Sequence, residues 1–316
     1  MTTTMPLLDL HDLEIHNIDL HYHAGQERQP GQTLADYMRH AQMTGRIIVG
    51  VTDHLERYIG IPPAPPEKAP LYAQSVEGLL RFRADVAAVQ HDFPVLKLFF
   101  GPEIHASPRI DLAHIPAEIM AASDYFLCAL PGVENSCAEN TAARLAWLPR
   151  IRDLADRSGK PVFIAHPFRS SVDHQLVRRD IEPWITALRP RRDGSFQDDE
   201  LNAFFRFDVR ALARACREYG LPIEVNGGTV GRIRGVNLAA PLQMLWAAYR
   251  LFRDAGVDLV PGSDQHAYML TPTRREGRYV PYDAFAALDI TAADIGLVQR
   301  LLHGAALPQE ERTTCC

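Results

Sequence analysis

The chain has 316 residues, 47% of them hydrophobic and 23% charged, with a formal net charge of -6. That is the composition of an ordinary globular protein, and its acidic balance excludes a surface built to coat nucleic acid. No run of 18 apolar residues occurs, so no membrane span is expected.

Seven short apolar runs, rich in β-branched residues, alternate with helical stretches. In chain order, a strand over 17–23 (NIDLHYH) precedes a helix near 33–44, and one over 46–54 (RIIVGVTDH) precedes a helix near 75–91. A third over 96–105 (LKLFFGPEIH) leads to the weaker helical segment IPAEIMAA, and a fourth over 124–132 (DYFLCALPG) to a helix near 140–158. The fifth, sixth and seventh cover 161–168 (PVFIAHPF), 221–228 (LPIEVNGG) and 257–266 (VDLVPGSDQH), with helices near 200–219, 240–255 and 291–303. Alternating strands and helices imply βαβ units around a parallel sheet. Near-continuous apolar runs fit strands covered on both faces. Seven units suggest one α/β domain over 1–316, closed as a barrel. Two segments break the rhythm. The proline-rich stretch 58–72 reads as a surface loop, and 169–200 as a long arginine-rich insert.

The N-terminal stretch lacks a basic start followed by an apolar core, so no signal peptide is read and the cytoplasm is the expected compartment. The five cysteines show neither a disulfide framework nor a zinc-knuckle spacing. The adjacent Cys315 and Cys316 read either as a frayed tail or as a redox- or metal-sensitive thiol pair.

The polar residues of the strands are not scattered. Residues i and i+2 of a strand share a face, so Asp19, His21 and His23 point one way and Ile18, Leu20 and Tyr22 the other. Each strand that carries histidine or acid carries it at its C-terminal end: His21 and His23, then Asp53 and His54, Glu103 and His105, His166, Glu224 and Asn226, and Asp264 and His266. In a parallel barrel those ends form one rim, where active sites sit. Imidazoles gathered with carboxylates suit zinc, manganese or iron. Such a metal lowers the pKa of a bound water, giving hydroxide near neutral pH, and paired metals clamp the oxygens of a displacement.

The ordered set DLHYH, TDH, GPE, AHP, EVN and GSDQH, spanning about residues 16–268, resembles the polymerase-and-histidinol-phosphatase (PHP) family. The resemblance implies a distorted (β/α)7 TIM-like barrel holding one to three ions, often in phosphoesterases. It assigns His21, His23, Glu103 and Asp264 to a first ion, with Glu103 bridging to a second beside His166. His54 and His266 belong to a third. Two family ligands are missing: Pro131 takes the place of a histidine at the second ion, and Gln29 stands nearest the place of one at the third. Water, Gln29, Glu134 or His105 are the candidates to fill them. Asp53 reads as an orienter of its neighbours, and Glu224 and Asn226 as possible further contributors.

Beyond the ligands, Arg169 follows His166 on the same rim, where a guanidinium can grip a phosphate or carboxylate in two-toothed fashion. Arg109, Arg232 and Arg234 are weaker candidates for that task. His40 lies on a helix, where a packing or surface role is expected. Gly227 and Gly228 suit either a tight βα turn or close approach of a substrate. No nucleophile elbow, P-loop or dinucleotide fingerprint is present. The expected activity is metal-dependent hydrolysis of a small anionic phosphate ester, with Asp264, His266 and Arg169 in the chemistry. Two other readings stay open: a one- or two-metal centre, possibly iron, doing non-phosphatase hydrolysis, lyase or oxidative chemistry, and a degenerate metal-binding module. The insert, with Arg169, Arg178, Arg179, Arg189, Arg191 and Arg192, is read either as a cationic lid or as a solvated surface excursion.

Overall fold

A computed structural model of the chain describes residues 10–26, 31–60, 71–107, 110–176, 183–191, 194–235, 239–266 and 280–303. Its strands are β1 (Ile18–His23), β2 (Ile48–Thr52), β3 (Lys97–Phe100), β4 (Glu103–His105), β5 (Phe126–Ala129), β6 (Val162–Ala165), β7 (Ile223–Asn226) and β8 (Leu259–Gly262). They pair in parallel throughout and form a three-stranded sheet, β1-β2-β3, and a five-stranded sheet, β4-β5-β6-β7-β8. Helices connect them, so the molecule is mixed α/β with parallel sheets.

The single closed ladder expected of a barrel is not what these strands form. The stretch 96–105 is two strands, because Gly101 and Pro102 interrupt it: proline has no N–H to give a ladder, and a Cβ on Gly101 would lie 2.2 Å from the Tyr125 ring. β3 therefore pairs with β2, and β4 with β5. Among the described residues the sheet edges meet at isolated bridges, Tyr22 with Gln265 and His54 with Glu103. There His23 N donates to Gln265 O (2.8 Å), Asp264 N to His21 O (2.8 Å), Leu55 N to Glu103 O (2.8 Å) and Glu103 N to Asp53 O (2.9 Å).

All six residues of β1 are buried, as expected of a strand covered on both faces. On one face, the Tyr22 hydroxyl meets the Tyr37 carbonyl (3.2 Å) and His40 Nδ1 (2.8 Å) of helix Leu34–Met43. The other carries Asp19, His21 and His23. Asp19 accepts from Ser263 N at 2.9 Å and from Arg46 Nε at 2.6 Å, which pins β1 to the residues just after β8.

Local chemistry explains the remaining boundaries. The stretch expected as one helix over 200–219 is two, Asp198–Phe205 and Val209–Tyr219. Arg206 between them adopts a left-handed conformation (φ 62°), and the Asp208 side chain caps the second helix at Ala211 N (2.8 Å). Strand β7 stops at Asn226, where helix Gly227–Gly235 begins, so Gly227 and Gly228 are helical rather than part of a tight turn. Part of the insert forms helices Arg169–Leu176 and Pro183–Ala187. No helix of the described residues is long and apolar enough to cross a membrane.

Candidate metal centre

The strand ends converge on Glu103, the first residue of β4 and fully buried. Its Oε2 lies 3.3 Å from His21 Nε2, 3.2 Å from His23 Nε2 and 3.1 Å from His54 Nδ1. Its Oε1 lies 2.7 Å from His166 Nε2 and 3.2 Å from His105 Nε2. Asp264 Oδ1 is 2.6 Å from His266 Nε2 and 3.9 Å from both His21 and His23 Nε2. The rings of His23 and His266 stack at 4.1 Å between centroids.

This donor set fits a cation. His21 Nδ1 lies 2.9 Å from Glu224 Oε1, and a carboxylate there takes the ring N–H. That leaves the Nε2 lone pair of His21 facing His23 Nε2 at 3.0 Å. A carboxylate partner on the far ring nitrogen is the usual companion of a metal-bound imidazole. One carboxylate oxygen has about two lone-pair sites, yet three imidazole nitrogens surround Glu103 Oε2. Among the described residues, four groups of side chains bring ligand atoms within 4.8 Å of one another: His21, His23 and Asp264; His21, Glu103 and His166; His23, His54 and His266; and His54, Glu56 and His105.

From the side chains alone, a proton on His21 takes the place a cation would fill. Burial pulls the His21 imidazole down, but Glu224 and Glu103 outweigh it and hold it well above the usual range. Burial and the neighbouring His266 push His23 well below that range. Burial raises the Glu103 carboxyl, but the histidines, His54 and His105 foremost, bring it well below the usual carboxylate range. Burial likewise opposes ionisation of Asp264, and His266 reverses that. The site favours a negative Glu103 and Asp264 with positive charge between them.

Glu224 and Asn226 stand one step back from the cluster. Glu224 Oε2 accepts from His166 N (2.6 Å), while its Oε1 also accepts from Asn226 Nδ2 (3.0 Å). Asn226 Oδ1 caps the following helix at Thr229 N (2.7 Å). The amide is thus occupied with positioning, and neither residue falls in a ligand group. Asp53 likewise lies outside the groups. It accepts from Tyr58 Oη (2.7 Å), His54 N (2.8 Å) and Gln26 N (2.5 Å), and burial raises its carboxyl. Glycine is required where these groups approach the backbone: a Cβ on Gly262 would lie 2.1 Å from Glu224 Oε1, and one on Gly25 2.0 Å from Asp53 Oδ2. His166 and Asp264 both have positive φ (29° and 55°), uncommon for residues other than glycine and a conformation that clusters at functional sites.

Arg169 stands beside the cluster, with Nη1 bonded to Asp264 Oδ2 and Nε 3.6 Å from Asp173. A Cβ on Gly228 would lie 2.9 Å from both Arg169 Nη1 and Asp264 Oδ2, so the helix starting there packs directly on this pair. Arg232 pairs with Asp173 at 2.8 Å, and Arg234 with Asp283 away from the cluster. His40 bonds Tyr22 on the outer face of β1. Glu134 is exposed and in no ligand group. Gln29, Arg109, Arg178, Arg179, Arg192, Cys315 and Cys316 lie outside the described residues.

Of the insert's described arginines, Arg169 stands at the cluster and Arg191 does not. Arg191 lines a surface cavity of about 650 Å³ with Asp198, Arg250 and Asp254. Arg250 and Asp254 end the helix that leads into the start of β8, and the cluster lies at the other end of that strand. Arg191 is therefore placed away from the cluster; residues 177–182 and 192–193 of the insert lie outside the described residues. Glu56, by contrast, is a residue that sequence reasoning missed. It follows β2 in the short helix Glu56–Ile59, its carboxylate accepts from His105 N, and it joins His54 and His105 in a ligand group. The spacing His-x-Glu in DHLER was the only signal, and it lies beyond the strand, where alternation no longer applies.

Fold and cluster together define a parallel α/β protein with a histidine–carboxylate centre at its strand ends. No family model matches the chain, and no curated protein matches it. Among solved structures it is similar to a histidinol phosphate phosphatase from Lactococcus lactis subsp. lactis Il1403, complexed with zinc, L-histidinol and phosphate. That match has 14% identity over 93% of this chain and 95% of the other, with a TM-score of 0.49. It is also similar to a chain of archaeal ribonuclease P with mature tRNA (13% identity, 91% and 94% covered, TM-score 0.48). A 5-methylcytosine deaminase from Klebsiella pneumoniae, liganded with 5-fluorocytosine, matches at 14% identity, covering 82% of this chain and 52% of the other, with a TM-score of 0.35. Likenesses at this level carry no chemistry from one protein to another; the side chains must supply it.

Proposed function

We propose that the chain is a metal-dependent hydrolase of the PHP type, its two sheets being arcs of a distorted barrel, that cleaves a phosphate ester of a small anionic substrate. One observation carries the reading: Glu103 stands at the centre of five histidines, with Asp264 and Arg169 at their side. His21, His23, Glu103 and Asp264 would hold the first ion. His166 with Glu103, and His54 and His266, are further donors around it. Zinc, manganese or iron fits these nitrogen and oxygen donors; a bound ion of this kind polarises a phosphoryl oxygen and makes water acidic enough to serve as a nucleophile near pH 7.

The chain's own residues do the rest. Arg169 presents a guanidinium to phosphoryl oxygens beside Asp264, where a fixed positive group stabilises charge as it develops. The side chains of His266 (29% exposed) and His105 (43% exposed) are the open members of the cluster, against complete burial of His21 and His23. Substrate therefore meets the cluster from the His105–His266 side. Glu224 fixes the ring of His21, and its bond to His166 N orients the backbone of that histidine. His266, next to Asp264 and partly exposed, faces the side from which substrate arrives.

The test is phosphate release from a panel of small phosphomonoesters. The protein is first stripped with a chelator, metal loss is confirmed by elemental analysis, and zinc, manganese or iron is returned. Activity should vanish on stripping and come back with one of these metals. Full turnover by the stripped protein would overturn the reading.

A further inference from the structure

Glu56 is 7% exposed, and its Oε2 has no hydrogen-bond partner. Its Oε1 accepts from the backbone N–H of His105, which fixes the carboxylate plane. Burial of an unpartnered carboxylate oxygen is unfavourable unless a cation or donor meets it. The groups around it are ligands. One atom each of His54, Glu56 and His105 lie within 4.8 Å of one another, and the His54 and His105 ring centroids are 4.8 Å apart. Glu103 reaches both histidines, with Oε2 at 3.1 Å from His54 Nδ1 and Oε1 at 3.2 Å from His105 Nε2.

We propose that His54, Glu56 and His105, with Glu103 shared, hold a divalent cation separate from the one assigned to His21, His23 and Asp264. The proposal rests on the reading of the cluster as a metal centre and adds to it a second ion on the β2–β4 side. Two imidazole nitrogens and the carboxylates of Glu56 and the shared Glu103 are donors that suit zinc, manganese or ferrous iron. His54 also lies near His23 and His266; it is assigned to Glu56 because that carboxylate has an oxygen with no other partner. The side chain of His105 is 43% exposed, so this ion is the one closer to solvent, and Pro131 takes no part in holding it.

The experiment is a titration of the stripped protein with cobalt(II), followed by its visible absorption and by elemental analysis after desalting. Wild type, Glu56→Gln, His105→Ala and Asp264→Asn are compared, with circular dichroism to confirm folding. Glu56→Gln keeps the side-chain volume and an oxygen for His105 N. His105→Ala removes a half-exposed ring and gives an independent arm should the first variant not fold. Each of these two should lose one equivalent of cobalt with its absorption band. The affinity loss should exceed the roughly 10–100-fold typical of changes beyond the ligands. Asp264→Asn should lose the other equivalent and keep this one. If either Glu56→Gln or His105→Ala, once folded, binds the full wild-type complement at wild-type affinity, the proposal is overturned and the first-ion reading stands. If the wild-type protein takes up no cobalt, both fall.

Discussion

Arg144 donates to the carbonyl of Pro167 at 2.6 Å from a side chain that is almost wholly buried. A second bond reaches Ser170 Oγ at 2.8 Å, and the guanidinium carbon sits 4.2 Å from the centre of the Phe207 ring. Among the described residues no carboxylate pairs with it, and burial pulls its pKa down to about 9. The segment it grips, Pro167 to Ser170, contains Arg169 and directly follows His166 with its positive φ. Arg144→Met should therefore harm the site more than the fold. It removes hydrogen bonds from a charged donor, each worth about 1.5–3 kcal/mol, but also frees the interior of a buried cation, which offsets much of that loss. Turnover should fall by roughly 10–100-fold, as for other changes behind a metal ligand, with only a small shift in Tm. A lowered Tm with unchanged kcat/KM would mean that Arg144 serves the fold alone.

Asp264 and Glu224 should separate by severity. Asp264→Asn keeps the shape and tolerates the left-handed backbone, yet removes a ligand charge, so metal retention and turnover should be lost together. Glu224→Gln keeps an acceptor for His21 and should cost about 10–100-fold. Equal losses in the two variants, read by elemental analysis and kcat/KM, would place Glu224 among the ligands.

Gly262→Ala is expected to collide with Glu224 Oε1 and with His21 Cβ, which a Cβ would approach to 2.1 and 2.8 Å. Overpacking of this kind destabilises by about 1–3 kcal/mol, and here it also displaces a ligand. Gly231→Ala makes the same change in helix Gly227–Gly235 with nothing within 4 Å. It should stabilise by roughly 0.5–1 kcal/mol. Thermal melts of the two variants check the contrast, and a neutral Gly262→Ala would show that β8 has room to spare.

His40 should make stability depend on pH. Burial, aided by Arg46, lowers it to about 4 in the folded protein from an ordinary value of 6.5. Between those values the unfolded chain binds a proton that the folded chain refuses, so stability is full above about 6.5 and falls as pH drops towards 4. His40→Gln can still meet the Tyr22 hydroxyl but does not titrate. Denaturation midpoints at pH 7.5 and 5 should fall further for wild type than for the variant. An equal fall in both would clear His40 of the effect.

Neutralising Arg189 and Arg191 to serine should leave kcat/KM for an anionic substrate unchanged at low salt. Arg189 is exposed and bonds the Leu188 carbonyl, and Arg191 lies against the end of the helix before β8. Neither stands at the cluster. A marked fall in kcat/KM that added salt abolishes would support the lid.

Much of the cluster was legible because strand alternation and parallel pairing act together. His21 and His23 share a face by period, and the C-terminal ends of parallel strands share a side. Nothing comparable reports on Glu56, whose position depends on a four-residue helix after β2, or on Arg144, which in ARLAW looks like any surface arginine. Asn226 could have been read as a cap, since Asn before a helix with a donor three residues on is an N-cap pattern. The break at Gly101–Pro102 was visible as residues but not as a change of sheet, which depends on where β5 comes to lie. Arg206 in a left-handed turn left no mark, because arginine has no preference for it.

The seam between the sheets has a bearing on how the protein is made. His21 and His23 are synthesised about 240 residues before Asp264, bonded through its N–H to the His21 carbonyl, and Gln265, which accepts from His23 N. Contacts so distant along the sequence form late, after their loop-closure entropy has been met. A nascent polypeptide shorter than about residue 266 has β1 with a bare edge and the histidine pair without its aspartate. The proposed ion can therefore take its full donor set only once residues through about 266 are in place beside β1.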